Sequence, residues 1–313
     1  MKKIVIFGGG TGLSTVLTGL KLFPIDVTAV ITVSDDGSST GVLKEELDIP
    51  AVGDLGKVLL AMANVDEQFV DLLRYRFTNE GTLYNHPVRN ILLAALIDLQ
   101  GDLTSASKYM CKILQVKGTV LPLTEEKVEL IGHGKDQKFI GEVEVSNNIR
   151  SIDYLTYDHP IKVNAEVLDK IREADLIIFS PGSLYTSIIP HLISPAVTSA
   201  LEASAAPIMY VSNLVSQPGE TDGYSVSDHV AVLNEYLGGR KIDVVIANNG
   251  SIGDDVAGSY EAENKSLVTL DMKEGVIADD IIHIDEAGSV RHDTLKTAYM
   301  IFSYLMKLSG SRE

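Results

Sequence analysis

The first elements of the chain can be predicted from where its apolar residues fall. A short, continuous apolar run from Ile4 to Phe7 ends at three consecutive glycines. Runs of this kind are typical of strands that are buried on both faces of a parallel sheet. The pattern then predicts a helix from Leu13 to Leu22 and a second strand, rich in β-branched residues, from Val27 to Ser34. The amino end therefore indicates a β-α-β unit.

The next part of the chain reads as mainly helical, and strands and helices alternate again in the second half. The first helices are predicted at Leu55–Ala63, Glu67–Phe77 and Pro87–Leu99, the last with a proline at its first turn. The later strands are predicted at Asp175–Phe179, Pro207–Ser212 and Ile242–Ala247. The later helices are predicted to begin at Ser183, to run from Ser227 to Leu237, and to close the chain from His292 to Leu308. This alternation predicts a parallel sheet covered by helices.

Between residues 118 and 160 the pattern changes to short alternating segments, which predict β-hairpins. We find no linker rich in proline and serine, no internal repeat and no low-complexity tract. The prediction is therefore a single α/β domain over residues 1–313, with a doubly wound, mostly parallel sheet and a small β-rich insertion at about 118–160.

Composition and charge exclude several classes of protein. The chain has 43 acidic against 26 basic residues, a formal net charge of −17, and no run of Lys or Arg longer than two. Because nucleic-acid surfaces need clustered cations, a nucleic-acid partner is not expected. The apolar run at the amino end is too short for a membrane span or a secretory signal, and the single cysteine, Cys111, cannot form an intrachain disulfide. We expect a cytoplasmic protein without a membrane span.

Polar, glycine-containing loops follow five of the predicted strands. They are Gly8–Gly12, Ser34–Gly41, Ser180–Ser187, Ser212–Gly223 and Asn248–Gly250. The carboxyl ends of parallel strands form one edge of a sheet, and ligands bind in the crevice outside that edge. Glycines allow close approach of the backbone, while hydroxyls, amides and helix amino termini suit phosphate and sugar oxygens. The loops therefore predict a phosphorylated, polyhydroxylated ligand.

The first glycine loop is the strongest of these signals. Three consecutive glycines followed by Thr11 and Gly12 exceed what a tight strand-to-helix turn requires, which favours phosphate binding. The loop is not the dinucleotide fingerprint, because the third glycine position falls on Leu13 or Thr15. A P-loop is also absent from the sequence, since Gly56-Lys57 is followed by valine. NAD binding and ordinary ATP hydrolysis are both disfavoured.

Charged residues near these loops have alternative interpretations. Asp35 and Asp36 could cap a turn, accept hydrogen bonds from ribose or sugar hydroxyls, or hold Mg²⁺, and Asp54 has the same alternatives. Arg89 precedes an apolar helix and is the predicted phosphate partner, unless it merely faces solvent. No histidine spacing suits a metal and no Ser-His-Asp order appears, so the catalytic residues stay unknown.

Four segments together resemble the bacterial gluconeogenesis factor family, of the YvcK type, within the CofD-like superfamily. The segments are Gly8–Gly12, Ser34–Gly41, Ala174–Pro190 and Asn213–Val230, and the resemblance runs along nearly the whole chain. It implies a Rossmann-like fold and a cytoplasmic regulatory protein needed for cell morphogenesis and for growth on gluconeogenic carbon sources. It also implies binding of a UDP-sugar, such as UDP-N-acetylglucosamine. Whether the chain forms a homo-oligomer is left open.

The same resemblance assigns site residues by position. Nucleotide or phosphate binding falls on Gly9, Gly10, Thr11, Gly12, Ser183, Tyr185 and Thr186, beside Arg89. The acidic loop is Asp35 and Asp36, and the loop facing it for the sugar or ribose contains Asn213, Gln217 and Glu220. The chain departs from the family pattern at Ser38, Val42, Asn85 and Arg89.

Two other functions compete with a regulatory nucleotide-sugar-binding protein. The related CofD enzymes are 2-phospho-L-lactate transferases that use Mg²⁺ in the corresponding crevice. A CofD-like transferase acting on a phosphorylated nucleotide is therefore the alternative, with Asp35 or Asp36 holding the metal. An NAD-dependent oxidoreductase relies only on the general α/β pattern.

Overall fold

A computed structural model describes residues 1–310 of the chain, and its strands form one large parallel sheet and two small antiparallel ones. In chain order the strands are β1 (Lys2–Gly8), β2 (Ile25–Ile31), β3 (Thr119–Pro122), β4 (Leu130–His133), β5 (Lys138–Ile140), β6 (Tyr154–Tyr157), β7 (Leu176–Phe179), β8 (Ile208–Val211), β9 (Val244–Asn248), β10 (Val276–Asp279), β11 (Ile282–Ile284) and β12 (Val290–His292).

Helices lie between the strands of the large sheet, within the insertion and after the last strand. They are α1 (Gly10–Leu20), α2 (Ser38–Glu46), α3 (Gly53–Met62), α4 (Glu67–Arg74), α5 (Val88–Gln100), α6 (Leu103–Ile113), α7 (Glu142–Asn147), α8 (Ala165–Glu173), α9 (Ile189–Leu192), α10 (Pro195–Ala203), α11 (Val226–Tyr236), α12 (Asp254–Ala262) and α13 (Thr294–Gly310). A π-helical turn, Leu184–Ile188, precedes α9, and a 3₁₀ turn, Ile149–Ser151, follows α7. Within residues 1–310, no helix has the length and apolar character needed to cross a membrane.

The large sheet has the order β10-β9-β8-β7-β1-β2-β3, and every neighbouring pair is parallel. The chain moves outward from β1 through β2 to β3 and then returns to β7 on the opposite side of β1. Ile4 accordingly pairs with Val27 of β2 and with Leu176 of β7. The predicted doubly wound, mostly parallel α/β fold is confirmed, and its switch point lies between β1 and β7.

Both faces of the large sheet are buried, which explains the continuous apolar run in β1. Ile4 and Ile6 pack in a core that includes residues of α1, α3 and α13. Val5 and Phe7 pack on the other face, in a core that includes residues of α8, α10 and α11. Alternate side chains of one strand point to opposite faces of the sheet, so a segment that is buried on both faces carries apolar residues at successive positions.

The insertion differs from its prediction in two places. Residues 119–122 form β3 at the edge of the large sheet. The remaining strands of the insertion, β4, β5 and β6, form a three-stranded antiparallel sheet. The segment Glu142–Asn147, predicted as part of a hairpin, is helix α7. Gly141, with φ of 94°, follows β5 and precedes α7. In the first turn of α7, Val143 N donates a hydrogen bond to the Asp36 carboxylate at 3.0 Å. A carboxylate at this place stabilises a helix start and overrides the alternating pattern.

Some predicted boundaries were also wrong. The helix predicted from Leu13 begins at Gly10, inside the glycine run, and ends at Leu20. The second strand begins at Ile25 and ends at Ile31, so Thr32, Val33 and Ser34 belong to the loop.

Candidate functional site

A cleft of about 370 Å³ lies at the switch point, between the loops that follow β1, β7 and β8 and the strand β12. We call it the switch-point cleft. The predicted site residues that line it are Gly9, Gly10, Thr11, Gly12, Ser183, Asn213 and Gln217. Loops from opposite directions of the sheet separate at a switch point, which leaves a crevice for a ligand. The structure therefore brings together the glycine loop and the later loops, although their roles in binding stay predictions.

The glycine loop presents a helix amino terminus to the switch-point cleft. Helix α1 begins at Gly10, whose φ is 63°, and no side chain caps it. The first backbone N–H groups of a helix have no partner inside the helix, and they carry its positive dipole end. This arrangement suits a phosphate or another anion.

Close packing explains why the loop needs its glycines. A Cβ atom on Gly9 would lie 2.6 Å from Oδ2 of Asp54. A Cβ on Gly12 would lie 2.8 Å from the carbonyl carbon of Pro181, and closer still to its oxygen. Gly12 therefore allows the loops after β1 and β7 to touch, which fixes the width of the cleft between them.

Asn213 ties the loops after β7 and β8 together. Its Oδ1 accepts a hydrogen bond from Gly182 N at 2.8 Å, and its Nδ2 donates to Gly182 O at 2.9 Å. Both ends of the amide are thus engaged with one backbone unit. Asn213 lines the cleft and also positions the neighbouring loop, a role that sequence alone does not reveal.

Glu220 lies behind the wall of the cleft instead of lining it. Its Oε1 accepts hydrogen bonds from Leu184 N at 2.6 Å and from Ser183 Oγ at 3.1 Å. Ser183 Oγ in turn accepts from Thr186 N at 3.1 Å, and Tyr185 N lies 3.4 Å from Glu220 Oε1. These hydrogen bonds hold in place the π-helical turn, which contains Tyr185 and Thr186. Ser183, just before the turn, is the residue of this group that lines the cleft.

Burial raises the pKa of Glu220 from about 4.5 to about 7, although its hydrogen bonds oppose the shift. Because the folded protein binds this proton more tightly than the unfolded chain does, the free energy of unfolding falls as the pH rises from about 4.5 to about 7. Glu220→Gln replaces this carboxyl group with an amide, which does not titrate. We expect this variant to lack a pH-dependent loss of about 3 kcal/mol over that range.

Urea unfolding of wild type and Glu220→Gln at several pH values between 4 and 8 measures this difference. Asp222→Asn is the matched control, since Asp222 lies on the same loop and is exposed. Parallel pH profiles for wild type and Glu220→Gln would show that Glu220 does not titrate in this range.

The two aspartates of the acidic loop lie outside the switch-point cleft and contact different elements. Asp35 accepts a hydrogen bond from Gly37 N at 2.9 Å, and burial and the charge of Asp54 raise its pKa. Asp36 instead joins the loop to α7 through Val143 N. Among residues 1–310, no group of three or more His, Cys, Asp or Glu side chains could hold a metal ion. Because Mg²⁺ is commonly held by one or two carboxylates together with substrate phosphates, a metal role for Asp35 and Asp36 stays a prediction.

The histidine and asparagine near Arg89 form a buried hydrogen-bond network between α2 and α5. His86 Nδ1 lies 2.8 Å from Ser39 Oγ, and Asn90 Nδ2 donates to Ser39 Oγ at 3.3 Å. Arg89 lies elsewhere, in a second cleft that borders α1 on its other side. The structure thus separates Arg89 from the cleft that contains most of the predicted phosphate-binding residues.

Strand β12 contributes residues that the sequence analysis missed. Val290, Arg291 and His292 all line the switch-point cleft. Arg291 is exposed, with its Nε 3.5 Å from Oδ2 of Asp285. Burial lowers the pKa of His292 to about 4, and its neutral ring donates from Nε2 to Ser212 O at 3.0 Å. A lone arginine in a three-residue strand carries no sequence signal, so only the fold reveals its position.

Comparisons with known proteins define the class first. The family model described as 2-phospho-L-lactate transferase CofD matches residues 4–286, which include most of the large sheet and the loops after β1, β7 and β8, but not β12. A crystal structure of a Bacillus halodurans protein superposes with a TM-score of 0.91 at 36% identity, covering 96% of this chain and 99% of that one. The fold and its cleft are therefore of the CofD-like class.

Curated relatives then give the particular family. A gluconeogenesis factor of Bacillus subtilis is 40% identical over 97% of this chain and 98% of its own length. A putative gluconeogenesis factor of Thermotoga maritima is 38% identical over 96% of this chain and 98% of its own length. The chain belongs to the gluconeogenesis factor family of CofD-like proteins, as its sequence motifs predict.

Proposed function

We propose that the chain is a regulatory protein that binds a UDP-sugar in the switch-point cleft and is required for cell morphogenesis and for growth on gluconeogenic carbon sources. The observation that carries the proposal is the uncapped first turn of α1, which opens into a cleft with Arg291 on its wall. Peptide N–H groups and a guanidinium are the donors that a diphosphate needs. The membership of the chain in the gluconeogenesis factor family supports the cellular role.

The lining residues divide the ligand into two parts. The backbone of Gly10, Thr11 and Gly12 faces the diphosphate, where Arg291 supplies the balancing positive charge. The Gln217 amide offers a neutral donor and acceptor, which suit the hydroxyls of ribose and sugar, while Ser183 Oγ donates its proton to Glu220 and can only accept. Among the described residues that line this cleft, the one histidine, His292, is neutral and engaged with Ser212, and no carboxylate stands beside it. Binding without turnover is the function that this set of groups supports.

Titration calorimetry with UDP-N-acetylglucosamine tests the proposal, with GDP and NAD as competitors of other classes. We expect a dissociation constant of about 1 to 100 μM, equivalent to roughly 5.5 to 8 kcal/mol. Arg291→Ala is expected to weaken binding by about 1.5 to 3 kcal/mol, the usual size of a charge-assisted hydrogen bond. Arg172→Ala is the matched control, because Arg172 is an exposed arginine of α8, far from the cleft lining, that pairs with its helix neighbour Asp169.

Absence of heat with any UDP-sugar at millimolar concentration would contradict the proposal. Equal loss of affinity in Arg291→Ala and Arg172→Ala would place the ligand outside the switch-point cleft.

A CofD-like transferase is the second candidate function. The observation that favours it is a second cleft, which shares Thr11 and Thr15 with the first and offers space for an acceptor. Release of UMP or UDP from a UDP-sugar by the wild-type protein, dependent on Mg²⁺ and abolished in Asp35→Asn, would establish this activity. A protein that binds the nucleotide sugar and releases neither product is a regulatory binder.

A further inference from the structure

A second cleft, of about 360 Å³, lies between α1 and the helices α3, α4 and α5. We call it the basic cleft, because Lys57, Arg74 and Arg89 line it. Three cationic side chains in one cleft contrast with the formal net charge of −17 for the whole chain. Thr11 and Thr15 of α1 separate the basic cleft from the switch-point cleft and line both.

Arg89 is the cation of the basic cleft that has no ion-pair partner among the described residues. Its side chain is buried, with 7% of the residue exposed, and its Nε has no hydrogen-bond partner. Among residues 1–310 it makes no salt bridge. Burial and the nearby charges of Arg76 and Arg74 lower its pKa to about 10. A buried guanidinium without a partner is costly, so a group that neutralises it binds there favourably.

The packing of Arg89 shows that the cleft is shaped to hold it. Its aliphatic stem lies over Gly56 in α3, where an added Cβ would come within 3.2 Å of Arg89 Cδ. Gly56 therefore leaves the space through which the side chain enters the cleft. This close approach fixes the guanidinium beside the hydroxyl-bearing face of α1.

The other cations of the cleft already have partners. Lys57 Nζ lies 2.8 Å from Oδ1 of Asp54, and Arg74 Nη1 lies 2.7 Å from Oε1 of Glu67. Arg76 does not line the cleft, although its charge acts on Arg89; it donates to the backbone oxygen of Asn85 at 2.6 Å. Arg89 thus remains without an ion-pair partner among residues 1–310, although the charge of Asp54 favours its charged form. A phosphate monoester, with a charge of roughly −1.5 to −2 at neutral pH, matches a cleft lined by Arg89, Arg74 and Lys57.

We propose that the basic cleft binds a small phosphate monoester, and that Arg89 is the residue that recognises its phosphate. The ligand is separate from the UDP-sugar of the proposed function, so the two sites can be tested independently. One guanidinium group can donate two parallel hydrogen bonds to two oxygens of the same phosphate, which accounts for an arginine at this position. The hydroxyl protons of Ser14, Thr15 and Thr18 are donated to carbonyls of their own helix, so charge recognition falls to Arg89.

Titration calorimetry at constant ionic strength tests this proposal with glycerol 3-phosphate and with inorganic phosphate as probes. We expect one molecule of glycerol 3-phosphate to bind per chain, more tightly than inorganic phosphate, because the monoester fills more of the cleft. Arg89→Gln is expected to weaken binding of glycerol 3-phosphate by roughly tenfold to 150-fold, the equivalent of losing one charge-assisted hydrogen bond. Arg172→Gln, at the exposed surface of α8, is expected to leave this affinity unchanged.

A thermal melt in phosphate-free buffer shows whether Arg89→Gln is folded. The variant is expected to unfold at the same temperature as wild type or higher, since it removes an unpaired buried charge. Glycerol 3-phosphate is expected to raise the unfolding temperature of wild type and not that of the variant.

Three results would overturn the proposal. The first is the absence of saturable glycerol 3-phosphate binding to wild type. The second is binding of inorganic phosphate alone. The third is a loss of glycerol 3-phosphate affinity in Arg291→Ala as large as that in Arg89→Gln, because this would place the phosphate in the switch-point cleft. Failure of UDP-sugar binding, by contrast, leaves all three measurements interpretable.

Discussion

Gly12→Ala is expected to lower the free energy of unfolding by about 2 to 3 kcal/mol and to remove UDP-sugar binding. The new methyl group meets the backbone carbonyl of Pro181, which cannot turn aside as a flexible side chain could. Alanine gains up to about 1 kcal/mol of helix propensity over glycine, and the expected loss is what remains after this gain. The loops after β1 and β7 must separate, and the first turn of α1 moves with them.

Gly258→Ala is the matched control for this substitution. Gly258 lies inside α12, and an added Cβ there meets no atom within 4 Å. This variant is expected to be more stable than wild type by about 0.5 to 1 kcal/mol, because only propensity changes. Urea unfolding measures both variants, and calorimetry with UDP-N-acetylglucosamine measures binding. Wild-type stability in Gly12→Ala would show that the contact with Pro181 relaxes without cost.

Glu129→Ala is expected to destabilise the protein by about 3 to 5 kcal/mol, more than Lys44→Met does. Lys44 of α2 is 1% exposed, and its Nζ lies 2.6 Å from Glu129 Oε1 and 2.8 Å from Val128 O. Removing Glu129 leaves a buried ammonium whose one remaining partner is a carbonyl. Removing Lys44 leaves a carboxylate that is 29% exposed and can be hydrated, so about 1 to 2 kcal/mol is expected.

The double variant separates charge burial from packing. Lys44→Met combined with Glu129→Ala is expected to be more stable than Glu129→Ala alone, since no buried charge is left unpaired. Glu173→Ala, which removes the exposed partner of Lys3, is the control and is expected to leave the urea midpoint nearly unchanged. A cost of Glu129→Ala no larger than that of Lys44→Met would contradict this account.

The sequence predicted the central part of the fold because burial on both faces leaves a simple pattern. The buried parts of β1 and β7 are continuous apolar runs, and the polar loops after them mark the edge of the sheet where the switch-point cleft lies. Helix α2 and strand β10 were missed. The buried face of α2 carries one apolar residue, Leu43, so the helix has no apolar periodicity. Strand β10 is half-exposed at the edge of the sheet and lacks a continuous apolar run.

The site was predictable only where a loop sequence itself determines the geometry. The glycine loop lines the switch-point cleft because it directly follows the central strand β1. Its glycines permit the close packing found there. Arg291 was missed because its place depends on how β12 packs after the rest of the sheet has formed. The role of Glu220 was also hidden, since its partners at Ser183 and Leu184 are distant along the chain.

The central position of β1 determines when the site can form during synthesis of the protein. Ile4 finds Val27 as soon as the first crossover is made, but its other neighbour, Leu176, emerges only after more than half of the chain. Pairings between distant parts of a chain form slowly, and an open strand edge invites association with other molecules. A nascent chain that ends before residue 176 therefore exposes the β1 edge and has only one wall of the cleft. Premature termination there is expected to yield an aggregating fragment that cannot bind nucleotide.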